Sequence, residues 1–197
     1  MQDHGHTAIL AGIGGSGVVY AGTVLARAGR HHFPHVTRFP NFTTAMRGGA
    51  CECMVIFSQQ PIPCPLVFRG DALVVMENSQ LVPFQDRLRP GGLLVLESTG
   101  LKDRGKRTDV RVLTLAAMEI AISLGDPLFA NLVMLGAYIG ASRVFSPGLV
   151  EKEIESRFAV AETGIRAAEK QAILGQNLAA FRRGLEIGQA FAVQEGI

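Results

Sequence analysis

Short apolar runs of strand length alternate with segments of helical period up to Leu115, and beyond it the apolar period is that of helices alone. Residues 7–11 read as a first strand, 16–28 as a first helix and 35–39 as a second strand. Residues 40–50 are polar and read as a loop long enough to carry function. A third strand over 51–57 precedes Pro61, Pro63 and Pro65, which hold an extended segment that cannot be helical. Strands over 71–76 and 93–96 flank a short helix over 81–88, which Arg89-Pro90-Gly91-Gly92 closes. A last strand over 110–115 leads into helices over 116–124, 128–144 and 148–158, the last with Ser146 and Pro147 as N-cap and first-turn pair. From residue 163 onward Ile165, Ala168, Ile173, Leu178, Phe181 and Leu185 share roughly one helical face, and Gly175, Gly184 and Gly188 are expected to break that helix. The alternation predicts an α/β fold: an open, mostly parallel sheet with a helical C-terminal layer.

Composition narrows the function classes. The chain has 197 residues, 48% hydrophobic and 18% charged, which suits one core and a single domain over 1–197. With 23 glycines, 11 phenylalanines, 2 tyrosines and no tryptophan, it lacks the aromatic surface that stacks nucleic-acid bases. Its lysines and arginines are scattered and its formal net charge is +2, so no basic stripe marks a nucleic-acid partner. The start of the chain carries neither a basic leader region nor an apolar stretch of membrane-spanning length, so the expectation is a cytoplasmic protein without membrane insertion. Three cysteines, Cys51, Cys53 and Cys64, form no CxxC pair and read as reduced thiols. Three thiolates cannot complete a four-thiolate iron–sulfur cluster, so an electron-carrying cluster would belong to another chain.

The candidate chemistry gathers at Gly12-Ile13-Gly14-Gly15-Ser16-Gly17, between the first strand and the first helix. Glycines at alternate positions let the backbone turn tightly and approach a ligand, and the helix start offers N–H groups with partial positive charge. That suits a phosphate and gives the sheet a Rossmann-like beginning, although the same spacing also serves close packing of strand on helix. A dinucleotide site needs a carboxylate at the end of the second strand to hold the ribose hydroxyls. Residues 35–39 offer Thr37 and Arg38 instead, which argues against NAD. The remaining small-molecule alternatives are a stand-alone NADP-dependent reductase, with Arg38 reading a 2′-phosphate, or a nucleotide- or coenzyme-A-binding module. Arg47-Gly48-Gly49 is the second candidate: a fixed cation before two permissive backbone positions grips a phosphate, a carboxylate or a partner backbone, unless it is simply a surface loop. It follows a strand end on the same side as the first turn and should lie near it.

Cys51 and Cys53 share one face of their strand as small core residues, and His31, His32 and His35 sit in a solvated turn after the first helix. No carboxylate pair, GxSxG elbow, HExxH pair or Walker lysine is present. The candidate binding residues are therefore Gly12, Gly14, Gly15, Ser16, Gly17, Arg47, Gly48 and Gly49, with no catalytic residue and no metal site.

The order of these signals resembles the gamma subunit, or gamma domain, of the 2-oxoacid:ferredoxin oxidoreductases. The likeness begins at GIGGSGVVYAGTVLARA and continues through RFPNFTTAMRGGACECMVIFS, PIPCPLVFRGDALVVME and the PGG of Arg89-Pro90-Gly91-Gly92. It ends with GDPLFANLVMLGAYIG and SPGLVEKEIESRF. The resemblance implies a part in the coenzyme-A-dependent oxidative decarboxylation of a 2-oxoacid. Thiamine diphosphate, magnesium and iron–sulfur clusters would be held by alpha, beta and delta-type partner subunits, and electrons would pass to ferredoxin or another acceptor. This chain would then bind no cofactor firmly, be inactive alone, and present the glycine turn and the Arg47 loop to coenzyme A or to the assembly. Two departures stand out: Ser16 replaces the family's usual glutamine, and Phe42-Thr43-Thr44-Ala45 replaces its Tyr-Gly-x-Glu. They point to a specialised 2-oxoacid, such as an aryl one of the indolepyruvate or phenylglyoxylate type, or to a different acceptor.

Overall fold

The structure, a computed structural model, describes residues 5–42, 49–64, 66–101, 107–157 and 165–196, with backbone alone at 42 and 165–167. Six strands, β1 (His6–Ile13), β2 (His35–Phe42), β3 (Ala50–Ser58), β4 (Gly70–Val75), β5 (Leu88–Glu97) and β6 (Arg111–Leu115), form one open sheet in the order β2-β3-β1-β4-β5-β6. β1, β4, β5 and β6 pair in parallel. β3 is antiparallel to both of its neighbours, so the sheet is mostly parallel with one reversed strand. The reversal follows from chain length: residues 43–49 are too few for a helical crossover, and a short connection can only fold the next strand back as a hairpin. β2 also runs through Pro40 to Phe42, where sequence pattern predicts loop, because an edge strand tolerates a proline that has no N–H to donate.

The helices are α1 (Val18–Gly29), α2 (Leu81–Phe84), α3 (Ala117–Ser123), α4 (Ala130–Ser142), α5 (Pro147–Ser156) and α6 (Ile165–Gln194). Strand alternation splits the core into two. Ala8, Leu10, Cys53, Val55 and Val74 face one side, where α1, α3, α4, α5 and α6 bury them. Ile9, Ala11, Met54, Ile56, Leu73 and Leu94 face the other side, covered among the described residues by Leu81 and Phe84 of α2 and by partly buried Ile62, Val67, Leu101, Val110 and Val112. The long helices thus form one thick layer, and the opposite face carries a thin one.

Sequence pattern and structure part at three further points. α6 runs unbroken through its glycines, because Gly184 and Gly188 lie against the α4 backbone at Val133 and Ala137, as Gly136 and Gly140 of α4 lie against the α6 backbone at Phe181 and Leu185. A Cβ on Gly184 would stand 1.9 Å from the Val133 carbonyl oxygen and one on Gly136 2.0 Å from that of Phe181, so these glycines let two backbones touch. Arg89-Pro90-Gly91-Gly92 does not close a helix but lies inside β5, where Gly70 pairs with Leu88 and Ala72 already with Leu93, a bulge that loops these four residues out. Ser146 stands at the N-cap of α5 but its side chain makes no capping bond.

Candidate functional site

Five strands end at one edge of the sheet, and there β1 turns into α1. Gly15 has φ 102° and Gly17 φ 79°, left-handed backbone in which any Cβ would crowd a carbonyl. The turn is braced from within: the Ser16 N–H donates to the Ile13 carbonyl at 3.0 Å. The Ser16 hydroxyl donates to the same carbonyl at 2.7 Å and accepts from the Ile13 N–H at 3.2 Å. Ser16 therefore faces inward, and Gly12 leaves room for it, since a Cβ there would lie 2.4 Å from Ser16 Oγ. The Gly14 N–H donates to the Gly49 carbonyl at 2.9 Å, which fastens the turn to the start of β3. No side chain caps α1 and no acidic residue lies in its first turn, so the positive end of its dipole is left for an anion.

The neighbouring connections shape a crevice beside this turn. α1 leaves β1 toward the thick helical layer, whereas the connection after β4 carries Leu81 onto the opposite face. Diverging connections between adjacent parallel strands open a cleft at their carboxyl ends. Across it, the Met76 N–H donates to the Ala11 carbonyl at 2.8 Å, and Asn78 Nδ2 donates to the Thr99 carbonyl at 2.9 Å. The buried Glu97 carboxylate, at the end of β5, accepts from the Thr99 N–H at 3.0 Å, the Thr99 hydroxyl at 2.5 Å and the Met118 N–H at 3.3 Å. Glu77 likewise accepts from the Ser79 N–H and hydroxyl. Both carboxylates are occupied with backbone and hydroxyl donors, which suits bracing and not acid–base chemistry.

Of the residues that sequence reasoning selects, Gly12, Gly14, Gly15, Ser16, Gly17 and Gly49 meet at this edge. Arg47 and Gly48 lie outside the described residues, in the connection that ends at Gly49. Sequence reasoning missed Asn131, whose side chain presses on Gly17 so closely that a Cβ on that glycine would fall 1.9 Å from Nδ2. Its signal was available: a lone amide at the start of the apolar run 128–144. Glu97, an acid ending the buried run 93–96, carried a similar one.

The dinucleotide alternative loses its geometry. β3 stands between β1 and β2, so the strand beside the turn presents its beginning, Ala50 and Cys51, where a ribose-reading strand would present its end. Arg38 lies mid-strand on β2, opposite Val55. The thiols of β3 face the thick layer. Burial pushes Cys53 up to about 11, with Arg38 opposing, and raises Cys51 with help from the Glu52 charge, so both stay protonated at neutral pH. His31 pairs with Glu153 at 3.1 Å on the surface. Among the described residues no three His, Cys, Asp or Glu side chains are placed to hold a metal ion, and no helix is long and apolar enough to cross a membrane.

Residues 7–187 match the sequence pattern of the pyruvate ferredoxin/flavodoxin oxidoreductase family. The ketoisovalerate oxidoreductase subunit VorA of Methanothermobacter thermautotrophicus is 30% identical over 177 residues, which is 90% of this chain and 35% of that protein. This chain thus spans about a third of VorA's length. The 2-oxoglutarate synthase subunit KorC of Methanocaldococcus jannaschii is 29% identical over 183 residues, 91% of this chain and 92% of that one. In fold, the chain is similar to the gamma subunit of a keto/oxoacid ferredoxin oxidoreductase from Geobacter sulfurreducens, with TM-score 0.76, 24% identity and coverage of 94% and 99%. It is also similar to part of 2-oxoglutarate:ferredoxin oxidoreductase from Magnetococcus marinus, solved with 2-oxoglutarate, coenzyme A and succinyl-CoA bound. There the TM-score is 0.81 at 20% identity, covering 96% of this chain and 32% of that one.

Proposed function

This chain belongs to the pyruvate ferredoxin/flavodoxin oxidoreductase family, and on that premise we propose that it is the gamma subunit of a multi-subunit 2-oxoacid:ferredoxin oxidoreductase. The complex would carry out coenzyme-A-dependent oxidative decarboxylation of a 2-oxoacid, with this chain cytoplasmic, non-catalytic and a single domain over its 197 residues. The observation that carries this reading is the near end-to-end match to KorC, itself a separate subunit, in a chain whose described cleft holds no nucleophile–base pair. Residues of this chain do not fit an iron–sulfur cluster: Cys51 and Cys53 are buried with raised thiols, and Cys64 is exposed away from them on the segment after β3. Thiamine diphosphate, magnesium and the clusters are accordingly assigned to alpha, beta and delta-type partners.

The glycine turn is the part of this chain that would receive the phosphates of coenzyme A. With the Gly14 and Ser16 N–H groups engaged inside the turn, Gly15, Gly17 and the first turn of α1 would offer N–H groups to a phosphate oxygen, Gly49 would fix the turn, and Arg47, two residues before it, would add a charge-assisted grip. Coenzyme A supplies the thiol that accepts the acyl group; this chain holds its polar end and orients it. Two experiments test the reading. Mild purification from native cells should bring down thiamine-diphosphate and iron–sulfur subunits with the chain; a lone monomer that binds NADPH would overturn it. In the assembled enzyme, Arg47→Ala should raise KM for coenzyme A roughly tenfold while leaving kcat within about twofold, as loss of one ionic hydrogen bond implies. Unchanged kinetics in an intact complex would make the loop structural. With Ser16 turned inward to brace the turn, the departure at residues 42–45 is what supports an aryl 2-oxoacid as substrate. A clear preference for pyruvate over indolepyruvate and phenylglyoxylate would sink that assignment.

A further inference from the structure

The opposite edge of the sheet, where β1, β4, β5 and β6 begin, holds a cavity of about 340 Å³ under the end of α4. It is lined by His6, Asp71, Arg89, Arg111 and Ser142, together with the Pro90–Gly92 backbone. The bulge in β5 builds one wall. It carries Arg89 back over the strand starts, where Nη1 donates to Asp71 Oδ1 at 2.8 Å. The other oxygen of Asp71 accepts from the Thr7 N–H at 2.7 Å, so both oxygens of this carboxylate are engaged by its own neighbours. Gly91, with φ 75°, makes the bulge turn, and its N–H donates to the Asp109 carbonyl. On the inner wall the buried Tyr138 hydroxyl meets His6 Nε2 at 2.8 Å, which fixes the imidazole in place.

The charges do not balance. Asp71 answers Arg89, but no carboxylate among the described residues lies within salt-bridge reach of Arg111, which enters from β6 beside Leu93. A guanidinium lining this cavity with no carboxylate partner among the described residues, together with a second guanidinium already oriented by Asp71, is a pair set for an oxyanion. Burial, with the charges of Arg89 and Arg111, holds His6 below its ordinary 6.5 against the pull of Asp71. A bound anion would reverse that balance.

We propose that this cavity is a second ligand site, separate from the glycine turn by the full length of the strands, which binds a small oxyanion, phosphoryl or carboxylate, between Arg111 and Arg89 with His6 at its floor. The site accounts for Arg89-Pro90-Gly91-Gly92, which coenzyme A at the other edge leaves unused. The full chain is titrated with inorganic phosphate and, in a parallel arm, with succinate, while the His6 ring resonance is followed by NMR, identified by its loss in His6→Gln. Saturable movement of that resonance is expected, and the anion with the lower half-saturation names the class. Arg111→Gln should weaken the response by roughly tenfold or more, Arg111→Lys should keep most of it, and Arg47→Ala should leave it unchanged. Should Arg111→Gln fail to fold, Arg89→Gln gives the same reading by the same loss. An immobile His6 resonance with both anions, or a response equal in wild type and Arg111→Gln, overturns the site. A response lost in Arg47→Ala but kept in Arg111→Gln assigns the anion to the glycine turn and overturns it equally.

Discussion

Gly15 and Gly17 adopt the same kind of left-handed backbone, yet they do different jobs. Among the described residues nothing lies within 4 Å of a Cβ on Gly15, whereas a Cβ on Gly17 meets Asn131 at 1.9 Å. Gly15→Ala should therefore cost only the backbone term of about 1–2 kcal/mol, while Gly17→Ala should add about 1–3 kcal/mol of overpacking. In an Asn131→Ala background the cost at Gly17 should fall back toward the backbone term. Urea unfolding of the four variants measures this, and equal losses at the two glycines would refute the packing argument. The cysteines divide in the same way. With Cys53 pushed up to about 11 and Cys51 raised, a thiol reagent at pH 8 should label only the exposed Cys64 in the folded chain, and all three after unfolding. Labelling of Cys53 at the rate of Cys64 would contradict its burial. At this scale the glycine turn was legible because glycine at alternate positions between strand and helix has few other uses. Asn131 was not, because its partner lies more than a hundred positions away and no local rule joins them.

Elements were legible in proportion to how locally they are determined. The apolar periods place five strands and the long helices within a few residues of where they lie, since burial of one face dictates the period. Direction is another matter: β3 reads as a buried strand either way, and only the length of the connection before it makes it antiparallel. The glycines of α6 were misread for a related reason. Propensity counts glycine as a helix breaker, but Gly184 and Gly188 meet the α4 backbone at Val133 and Ala137 across a seam where a Cβ has no room. The signs of two substitutions separate these views. Gly175 has open space around it, so Gly175→Ala should raise stability by about 0.5–1 kcal/mol. Gly184→Ala, in the same helix, should lower it by about 1–3 kcal/mol, because its Cβ would strike the Val133 carbonyl of α4. Stabilisation at both positions in thermal unfolding would mean that the seam tolerates separation.

At the scale of the whole molecule the sheet is unequally covered, and one ion pair holds down much of the thin side. Glu52 projects from β3 away from the helices, and its carboxylate accepts from Arg87 Nη1 at 3.0 Å, with side-chain exposures of 10% and 19%. Arg87 in turn donates from Nε to the Phe68 carbonyl at 2.5 Å and from Nη2 to that of Val67 at 3.4 Å, and its guanidinium lies 5.6 Å from the Phe68 ring centre. One arginine thus ties the segment before β4 to β3, the strand that Gly49 leads into. Removing Glu52 leaves that guanidinium partly buried without its counter-charge, a loss toward the low end of about 3–5 kcal/mol because some water still reaches the pair. The effect should be directional, since the helices on the far face make no use of this pair. In Glu52→Ala, trypsin should cut after Arg69 several-fold faster than in wild type under native conditions, while the helical circular dichroism is unchanged. A Glu52→Gln variant, which keeps a hydrogen-bond acceptor for Arg87 but no charge, should fall between the two. Equal cutting in all three proteins would show that the apolar contacts of Ile62 and Val67 hold the thin layer without the ion pair.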